Sequence, residues 1–396
     1  MMKFDLHNFR LHAIALFLIF SQQALADTLE PPTIKISPPT INANAYVLVD
    51  AYSDKILAGN DNDESIAPAS LTKMMTIYVI DKEIASGRLS PDDKVHVSKK
   101  AWKVEGSRMF LEVNTKATVR EIIKGIIISS ANDGSVAIAE HIAGSESSFA
   151  DLMNVYAKRL AMTKSNFINS TGLPHPEHYT SANDLVKLSK AIIKEFPESY
   201  EIYSQKSYKY NNINQYNRNR LLWKNKYVDG IKTGHTDAAG YCFVASAKRD
   251  NMRLIAILLG TKNDQARTEE ANKLLNWGFR FYDTFQIFPA KDKFQSVNVW
   301  FGKGKEMPVG LENDLYVTIP QGKHDKLQAS IQTDEVIKAP ISQGDIVGTF
   351  TVKLQDKIIA KVPLISLQEI EKGGFLSRMK DKLSITFKNL TAKMTS

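Results

Sequence analysis

The spacing of apolar residues changes twice along this chain, from alternation to helical periodicity and back. Residues 46–49 and 55–58 alternate around a polar turn and predict a β-hairpin. A helical pattern begins at Ser70. Further helical stretches lie at 119–128, 135–143, 147–160 and 184–193. Strand patterns return from Val228, at 241–247 and 253–260, and a helix is predicted at 266–282. This order favours an α+β domain at 45–287, in which one antiparallel sheet packs against helical layers.

A different pattern follows residue 288. Short apolar runs at 297–301, 316–319 and 346–354 are separated by glycine, proline and charged turns. A chain of 396 residues is long enough for two domains. We therefore expect a smaller all-β domain at 288–371.

The beginning of the chain has the pattern of a secretory signal peptide. Basic Lys3 and Arg10 precede or flank an apolar run at 11–20, and the small-x-small triplet 24–26 follows it. The apolar run is about half the length that a membrane span needs. We expect cleavage after Ala26, a proline-punctuated linker at 27–44, and export of the mature protein.

The net charge bears on the kind of partner the chain can bind, and the cysteine count bears on disulfide formation. The net charge is +8, but the basic residues are spread along the chain rather than clustered, and export argues against nucleic acid as a partner. Cys242 is the only cysteine, so no intramolecular disulfide can form. Its apolar surroundings favour a buried, inert thiol over a nucleophile.

The last segment, 372–396, predicts an amphipathic helix. Its apolar residues share one narrow face: Leu376, Met379, Leu383, Phe387, Leu390 and Met394. Basic residues lie on the other side, and the apolar positions are too interrupted for a membrane span. We expect this helix to lie on anionic lipids at a membrane interface. The alternative is a helix that docks on its own domain.

Three short motifs occur in order: Ser70–Lys73 (S-x-x-K), Ser130–Asn132 (S-x-N) and Lys232–Gly234 (K-T-G). Each is weak alone, since residues 377–380 also fit the first pattern, and 181–183 and 296–298 also fit the second. Ser377 belongs to the terminal amphipathic helix, and Ser181 has the spacing of a helix N-cap. Order and context therefore favour the first set.

The first motif carries a nucleophile and a base. Ser70 and Lys73 are three positions apart on a predicted helix and share one face, so the amine can reach the hydroxyl. A serine hydroxyl needs a base, and a lysine can serve only when it is neutral. Burial and the charge of Lys232 are expected to lower the pKa of Lys73.

The other two motifs supply polar groups for a substrate. Ser130 and Asn132 follow an apolar helix on a predicted loop, where the hydroxyl can pass a proton and the amide can hold a peptide group. Lys232 and Thr233 lie on a predicted strand and suit a free C-terminal carboxylate. Gly234 allows close approach to that strand.

The chain resembles the low-molecular-mass, type-5 penicillin-binding proteins, which are serine-type D-alanyl-D-alanine carboxypeptidases. Beside the three motifs, the resemblance rests on 68–76, 217–223 and 274–280 and covers nearly the whole sequence. It implies a penicillin-binding/β-lactamase-like domain at the periplasmic face of the bacterial inner membrane. The implied substrates are peptidoglycan stem peptides ending in D-Ala-D-Ala, and β-lactam antibiotics acylate such enzymes covalently.

The resemblance also implies roles for the motif residues. Ser70 is the expected nucleophile, Lys73 the general base and Ser130 the proton shuttle. The expected substrate-binding residues are Asn132, Lys232, Thr233, Gly234, His235 and Arg267. The N–H groups of Ser70 and His235 are expected to form the oxyanion hole, and water to release the acyl group. Ala131 is a departure, since close relatives often carry glycine there.

Two other functions fit parts of the pattern. A class A β-lactamase shares the three motifs but needs an E-x-x-L-N loop, which is missing from this sequence, and it lacks a trailing β-domain. A non-catalytic penicillin sensor or scaffold would not need every chemical group, and sensors normally carry true membrane spans. His175 and His178 flank Pro176 without a third ligand, so we expect no metal and no cofactor.

Overall fold

The structure, a computed structural model, describes residues 36–394. The predicted signal peptide, 1–26, lies outside the described residues, as do 27–35 of the linker and the last two residues of the chain.

Strands and helices are numbered in chain order. The strands are β1 Ala45–Asp50, β2 Ile56–Asn60, β3 Lys94–His96, β4 Lys116–Thr118, β5 Ser207–Tyr210, β6 Ile213–Tyr216, β7 Val228–Thr236, β8 Gly240–Arg249, β9 Met252–Thr261, β10 Tyr282–Phe288, β11 Gln295–Asn298, β12 Glu306–Gly310, β13 Leu315–Pro320, β14 Leu327–Thr333, β15 Ile346–Leu354 and β16 Lys357–Ser366. The helices are α1 Thr72–Ala85, α2 Lys99–Lys103, α3 Val119–Lys124, α4 Asn132–Ala143, α5 Glu146–Arg159, α6 Ala182–Glu195, α7 Pro197–Tyr200, α8 Leu221–Lys224, α9 Asp264–Phe281 and α10 Phe375–Met394.

The predicted antiparallel sheet forms from sequence-distant strands in the order β2-β1-β9-β8-β7. Successive side chains of a strand point to opposite faces, and both faces of β1 and β9 are covered. Val47 and Ile255 belong to the core that the sheet shares with the helical middle of the chain. Leu48 and Leu254 point the other way, onto Gly278 of α9. A sheet covered on both faces explains why these strands are almost continuously apolar.

Helix α1 lies at the centre of this domain and is buried over most of its length. It follows a 3₁₀ turn at Ala69–Leu71, so the helical pattern that begins at Ser70 starts with a tighter turn. The stretch predicted as one helix at 119–128 is α3 followed by a π-helical turn, Gly125–Ser129. Such turns are frequent at functional sites.

The part of the chain from β10 to β16 is rich in β-strands, as predicted. Its main sheet has the order β11-β12-β16-β15-β14, and β10 pairs with β13. The two β systems share one core, with Phe350 fully buried. A buried Asp50 carboxylate links β1 to this part of the chain, because it accepts a hydrogen bond of 2.9 Å from the Thr284 hydroxyl.

Two small antiparallel sheets, the β3–β4 pair and the β5–β6 hairpin, were not predicted from the sequence. Their strands are three or four residues long, which is too short for alternation to be distinctive. The β5–β6 hairpin lies beside the second motif, so it belongs to the surroundings of the candidate site.

Within residues 36–394, no helix is long and apolar enough to cross a membrane. The terminal helix α10 contacts the β-rich part through a polar residue. Asp381 is buried and accepts hydrogen bonds from Lys305 Nζ, at 2.6 and 2.7 Å, and from the Phe301 N–H at 2.7 Å. The apolar side chains of Leu376 and Leu383 remain 80% and 69% exposed.

Candidate active site

The first motif is held in a tight turn followed by a buried helix. Ser70 lies in the 3₁₀ turn, and Lys73 lies in the first turn of α1. Lys73 Nζ is 3.0 Å from Ser70 Oγ and donates a hydrogen bond of 2.6 Å to the carbonyl oxygen of Thr171. The side chain of Lys73 is almost completely buried. The predicted contact between the amine and the hydroxyl is therefore present.

The electrostatics of Lys73 follow from its burial. Removing the ammonium from water lowers the pKa of Lys73 from 10.5 to about 7, against the opposing effects of Asp133 and Glu146. A lysine with such a pKa has a substantial neutral fraction at neutral pH, and a neutral amine can accept the proton of a hydroxyl. The expected effect of the Lys232 charge is not among the causes of the shift at Lys73; the pKa of Lys232 is itself lowered, first by burial and then by the charge of Lys73.

The segment that binds the Lys73 amine was missed by sequence reasoning. Asn169 Oδ1 accepts hydrogen bonds from the N–H groups of Thr171 and Gly172, at 3.1 and 2.7 Å, and so fixes a tight turn. Gly172 has a φ of +85°, and a Cβ atom there would lie 1.8 Å from the carbonyl oxygen of Ala69. Only glycine fits so close to the nucleophile turn. A backbone acceptor has no signature of its own in a sequence.

The second motif begins directly after the π-helical turn, at a residue with an unusual backbone conformation. Ser130 has a left-handed backbone, with a φ of +64°, and lies between the π turn and α4 as predicted. Asn132 is the first residue of α4 rather than a loop residue. Its Nδ2 donates to the Glu105 carbonyl at 2.5 Å, while its buried Oδ1 has no hydrogen-bond partner within 36–394. That oxygen can accept a hydrogen bond from a ligand.

Asp133, which the sequence reasoning did not select, fixes the loop opposite the second motif. Its carboxylate accepts hydrogen bonds from the N–H groups of Met109 and Leu111, at 2.9 and 3.0 Å. The Asn132 N–H also donates to the Ser107 carbonyl at 2.7 Å. The loop at 105–111 is thus tied to the start of α4 by several hydrogen bonds.

The third motif lies on β7, at the end of the sheet. Lys232 Nζ is 3.0 Å from Ser130 Oγ, which brings the second and third motifs together. A Cβ atom on Gly234 would lie 3.2 Å from the Ser70 nitrogen, so β7 also packs directly beside the nucleophile turn. Gly234 therefore permits the approach of the protein's own backbone. Burial lowers the pKa of Lys232 well below its usual value, and the charges of Lys73, Arg267 and Arg218 lower it further.

The remaining predicted residues lie around β7. His235 is exposed and its ring packs on the Tyr241 ring, with 3.9 Å between the ring centroids. Arg267 donates a hydrogen bond of 2.9 Å to the Gly234 carbonyl and forms an ion pair with Asp264. In this structure Arg267 is therefore bound to the protein's own groups and supports the strand.

The competing sequence matches lie elsewhere in the fold. Ser377 belongs to α10 and Ser296 to β11. Ser181 is the N-cap of α6, where its side chain accepts a hydrogen bond from the Asp184 N–H. None of the three lies on the elements that carry the selected motifs.

His178 and Cys242 are both buried and have the surroundings of structural residues. His178 Nδ1 accepts a hydrogen bond from the Ile168 N–H, and its Nε2 lies 2.8 Å from the Thr72 hydroxyl. Burial lowers the pKa of His178 to about 4 and raises that of the Cys242 thiol to about 11. Among the described residues, no cluster of three or more metal-binding side chains occurs.

The fold and the site together define a serine hydrolase of the penicillin-recognising class, with two hydroxyl–lysine pairs between an antiparallel sheet and a helical layer. The family model described as D-alanyl-D-alanine carboxypeptidase matches residues 33–263, and the model described as penicillin-binding protein 5, C-terminal domain, matches 282–372. The chain belongs to the D-alanyl-D-alanine carboxypeptidase family. The predicted family, fold class and enzyme class are confirmed.

Several characterised proteins are similar over nearly their full length. The D-alanyl-D-alanine carboxypeptidase DacC of Escherichia coli strain K12 is 41% identical over 360 residues, which cover 89% of this chain and 90% of that protein. DacA of the same strain is 39% identical and is covered to 94%, as is this chain. The crystal structure of penicillin-binding protein 5 from Haemophilus influenzae has a TM-score of 0.83 at 38% identity, covering 85% of this chain and 100% of that one.

The close packing at Gly172 can be tested by adding one methyl group. We expect Gly172→Ala to lower the free energy of unfolding by about 3 kcal/mol or more, because it combines a left-handed backbone with a collision against the Ala69 carbonyl. Gly144→Ala is the matched control, since Gly144 has a φ of +74° but open space around it, and should cost about 1–2 kcal/mol. Denaturant unfolding of both variants measures the difference. Equal losses would contradict the close packing.

Proposed function

We propose that Ser70 of this carboxypeptidase attacks the peptide bond between the two terminal D-alanines of a peptidoglycan stem peptide. The observation that carries this proposal is the 3.0 Å contact between Ser70 Oγ and Lys73 Nζ, made by a buried lysine whose pKa is lowered to about 7. Family membership supports the reaction and the substrate class.

The first half of the proposed reaction forms an acyl-enzyme. Neutral Lys73 takes the proton of Ser70, and Oγ bonds to the carbonyl carbon of the penultimate D-alanine. The N–H groups of Ser70 and His235 stabilise the oxyanion. The C–N bond then breaks, and the proton held by Lys73 passes through Ser130, which lies 3.0 Å from Lys232 Nζ, to the leaving amine, so that Lys73 is neutral again. Free D-alanine departs.

The second half hydrolyses the ester. A water molecule gives a proton to Lys73, adds to the acyl carbon and releases the shortened peptide, while Ser70 regains its proton. We propose that β-lactams enter by the same first half, with their ring amide in place of the peptide bond. Their acyl group then remains on Ser70.

Substrate selection depends in this proposal on the free C-terminal carboxylate. Lys232 and Thr233 present an amine and a hydroxyl on β7, and Arg267 adds positive charge behind Gly234. The partner-free Oδ1 of Asn132 suits the N–H of the substrate's acyl side. An internal peptide bond lacks the carboxylate and is therefore a poorer substrate.

We further propose that the protein is exported with removal of 1–26 and that α10 attaches it to the periplasmic face of the inner membrane. The support is the orientation of the helix. The ion pair between the buried Asp381 and the exposed Lys305 holds its polar side, whereas Leu376 and Leu383 are exposed. A helix docked on its own domain by its apolar side would bury these leucines. Exposed apolar side chains beside basic ones suit an anionic lipid surface.

The acyl-enzyme can be detected by mass. Incubation of residues 27–396 with benzylpenicillin should add one acyl group at Ser70, and a peptide ending in D-Ala-D-Ala should release D-alanine. Ser70→Ala should abolish both signals, whereas Ser377→Ala, which changes the other S-x-x-K serine, should retain them. Mass spectrometry of proteolytic fragments locates the adduct. An adduct that persists in Ser70→Ala would overturn the assignment.

The pH dependence tests the base. Because the pKa of Lys73 is lowered to about 7, the neutral fraction increases as pH rises. The rate of acylation should therefore rise about tenfold between pH 6 and 8 and then level off. Asp81, on the same helix, has a pKa that burial raises to about 7, so Asp81→Asn serves as the control. Stopped-flow acylation should show the same inflection in this variant, and its disappearance would assign the titration to Asp81 instead.

Membrane attachment can be tested with vesicles. The mature protein should sediment with vesicles that contain anionic lipid, and deletion of 373–396 should abolish this while leaving D-alanine release intact. Leu376→Ser combined with Leu383→Ser should weaken binding at least tenfold, since each leucine contributes roughly 1.5–3 kcal/mol when buried. Ile346→Ser is a matched control, because Ile346 is 67% exposed on β15. Equal binding by all variants would refute the attachment.

A further inference from the structure

A groove of about 790 Å³ lies beside the second motif. One wall is the loop at 106–110, the other is β6 with the residues that follow it, and Ser129 lies between them. We call it the loop–hairpin groove. The side chains of Phe110 and Tyr216 are 52% and 65% exposed along its walls.

The walls of the groove are fixed to one another and to the site. Gln215 Nε2 donates a hydrogen bond of 3.1 Å to the Met109 carbonyl, and Asn211 Nδ2 donates one of 3.4 Å to the Phe110 carbonyl. Asp133 holds the same loop from behind. Phe110 has a left-handed backbone, with a φ of +67°, so its backbone conformation is held by the contacts around it.

The groove is positively charged. The charged residues that line it are Arg108 and Arg218, and no carboxylate lines it. Across the described part of the chain, neither arginine forms an ion pair. By contrast, the nearby Arg220 pairs with Asp264 at 2.7 Å. Two uncompensated guanidinium groups on a rigid groove favour an anionic ligand.

The groove adjoins the candidate active site. Ser129 adjoins Ser130, and a Cβ atom on Gly106 would lie 2.7 Å from Asn132 Nδ2. Asn132 is the residue proposed to hold the N–H of the substrate's acyl side. A peptide that continues from that N–H away from the two D-alanines therefore reaches Gly106 and then the groove.

We propose that the loop–hairpin groove binds the part of the substrate that precedes its two D-alanines, with a free carboxylate of that part held by Arg108 and Arg218. The planar guanidinium group matches a carboxylate with two parallel hydrogen bonds. Phe110 and Tyr216 pack against the aliphatic portion of the same segment. This inference rests on the proposed function and assigns the enzyme a preference for anionic stem peptides.

Two matched peptides test the groove. Both end in D-Ala-D-Ala and carry the same upstream glutamyl residue, with a free α-carboxylate in one and a carboxamide in the other. The wild-type enzyme should show a kcat/KM for D-alanine release about tenfold higher with the carboxylate peptide, the size of a charge-assisted hydrogen-bonded pair. Raising the salt concentration should reduce this ratio.

Variants of the two arginines test whether the preference for the carboxylate peptide arises in the groove. Arg108→Gln and Arg218→Gln should each bring the ratio of the two kcat/KM values towards one, mainly through KM of the carboxylate peptide. Arg120→Gln is the control, because Arg120 lies on α3, outside the groove lining, and pairs with Asp92. This variant should keep both the ratio and the basal rate. Should Arg108→Gln fail to fold, Arg108→Lys replaces it and should lower the ratio partly.

The possible results distinguish failure of the groove proposal from failure of the proposed function. A wild-type ratio near one, or a ratio unchanged in both arginine variants, overturns the groove while D-alanine release and benzylpenicillin acylation of the wild type still support the reaction. Absence of both D-alanine release and acylation in the wild type overturns the proposed function and this inference with it.

Discussion

Burial of two lysine amines against serine hydroxyls is the interaction on which the site depends. An ammonium group removed from water is destabilised unless it loses its proton or finds hydrogen-bond acceptors. The fold supplies acceptors from its backbone, the Thr171 carbonyl for Lys73 and the Thr233 carbonyl for Lys232. The pKa values of both lysines are nevertheless lowered by burial. The same low-dielectric environment that makes these amines costly also makes one of them a usable base.

The positions of the site residues are maintained because the elements around them are closely packed. Gly234 brings β7 against the nucleophile turn, and Gly172 brings the Thr171 turn against the same residues from another side. A side chain at Gly172 would collide with the Ala69 carbonyl, and one at Gly234 would be in tight contact with the nucleophile turn. Asp133 then fixes the loop that faces the second motif. Three segments that are far apart in sequence are in this way held at hydrogen-bonding distances by contacts that leave little room to adjust.

Much of this arrangement could be predicted from the sequence because it depends on local periodicity. The i, i+3 spacing of Ser70 and Lys73 places both on one helical face, and the alternating strands of the sheet follow from side-chain periodicity. Other parts have no local signal. The Thr171 carbonyl, the π-helical turn and the contacts of Asp133 arise from tertiary packing, which overrides local preferences. The β5–β6 hairpin, which forms one wall of the groove, was missed because its strands are too short for a distinctive alternation.

The position of β7 in the sheet order has a further consequence. It is the terminal strand, paired on one side with β8. A strand edge of this kind exposes main-chain donors and acceptors, and proteins usually protect such edges from neighbouring chains. Here the Ser130 hydroxyl, held by Lys232, stands across from the strand. A chain that pairs with this free edge of β7 therefore runs beside Lys232 and Ser130, the two residues that contact each other in the site.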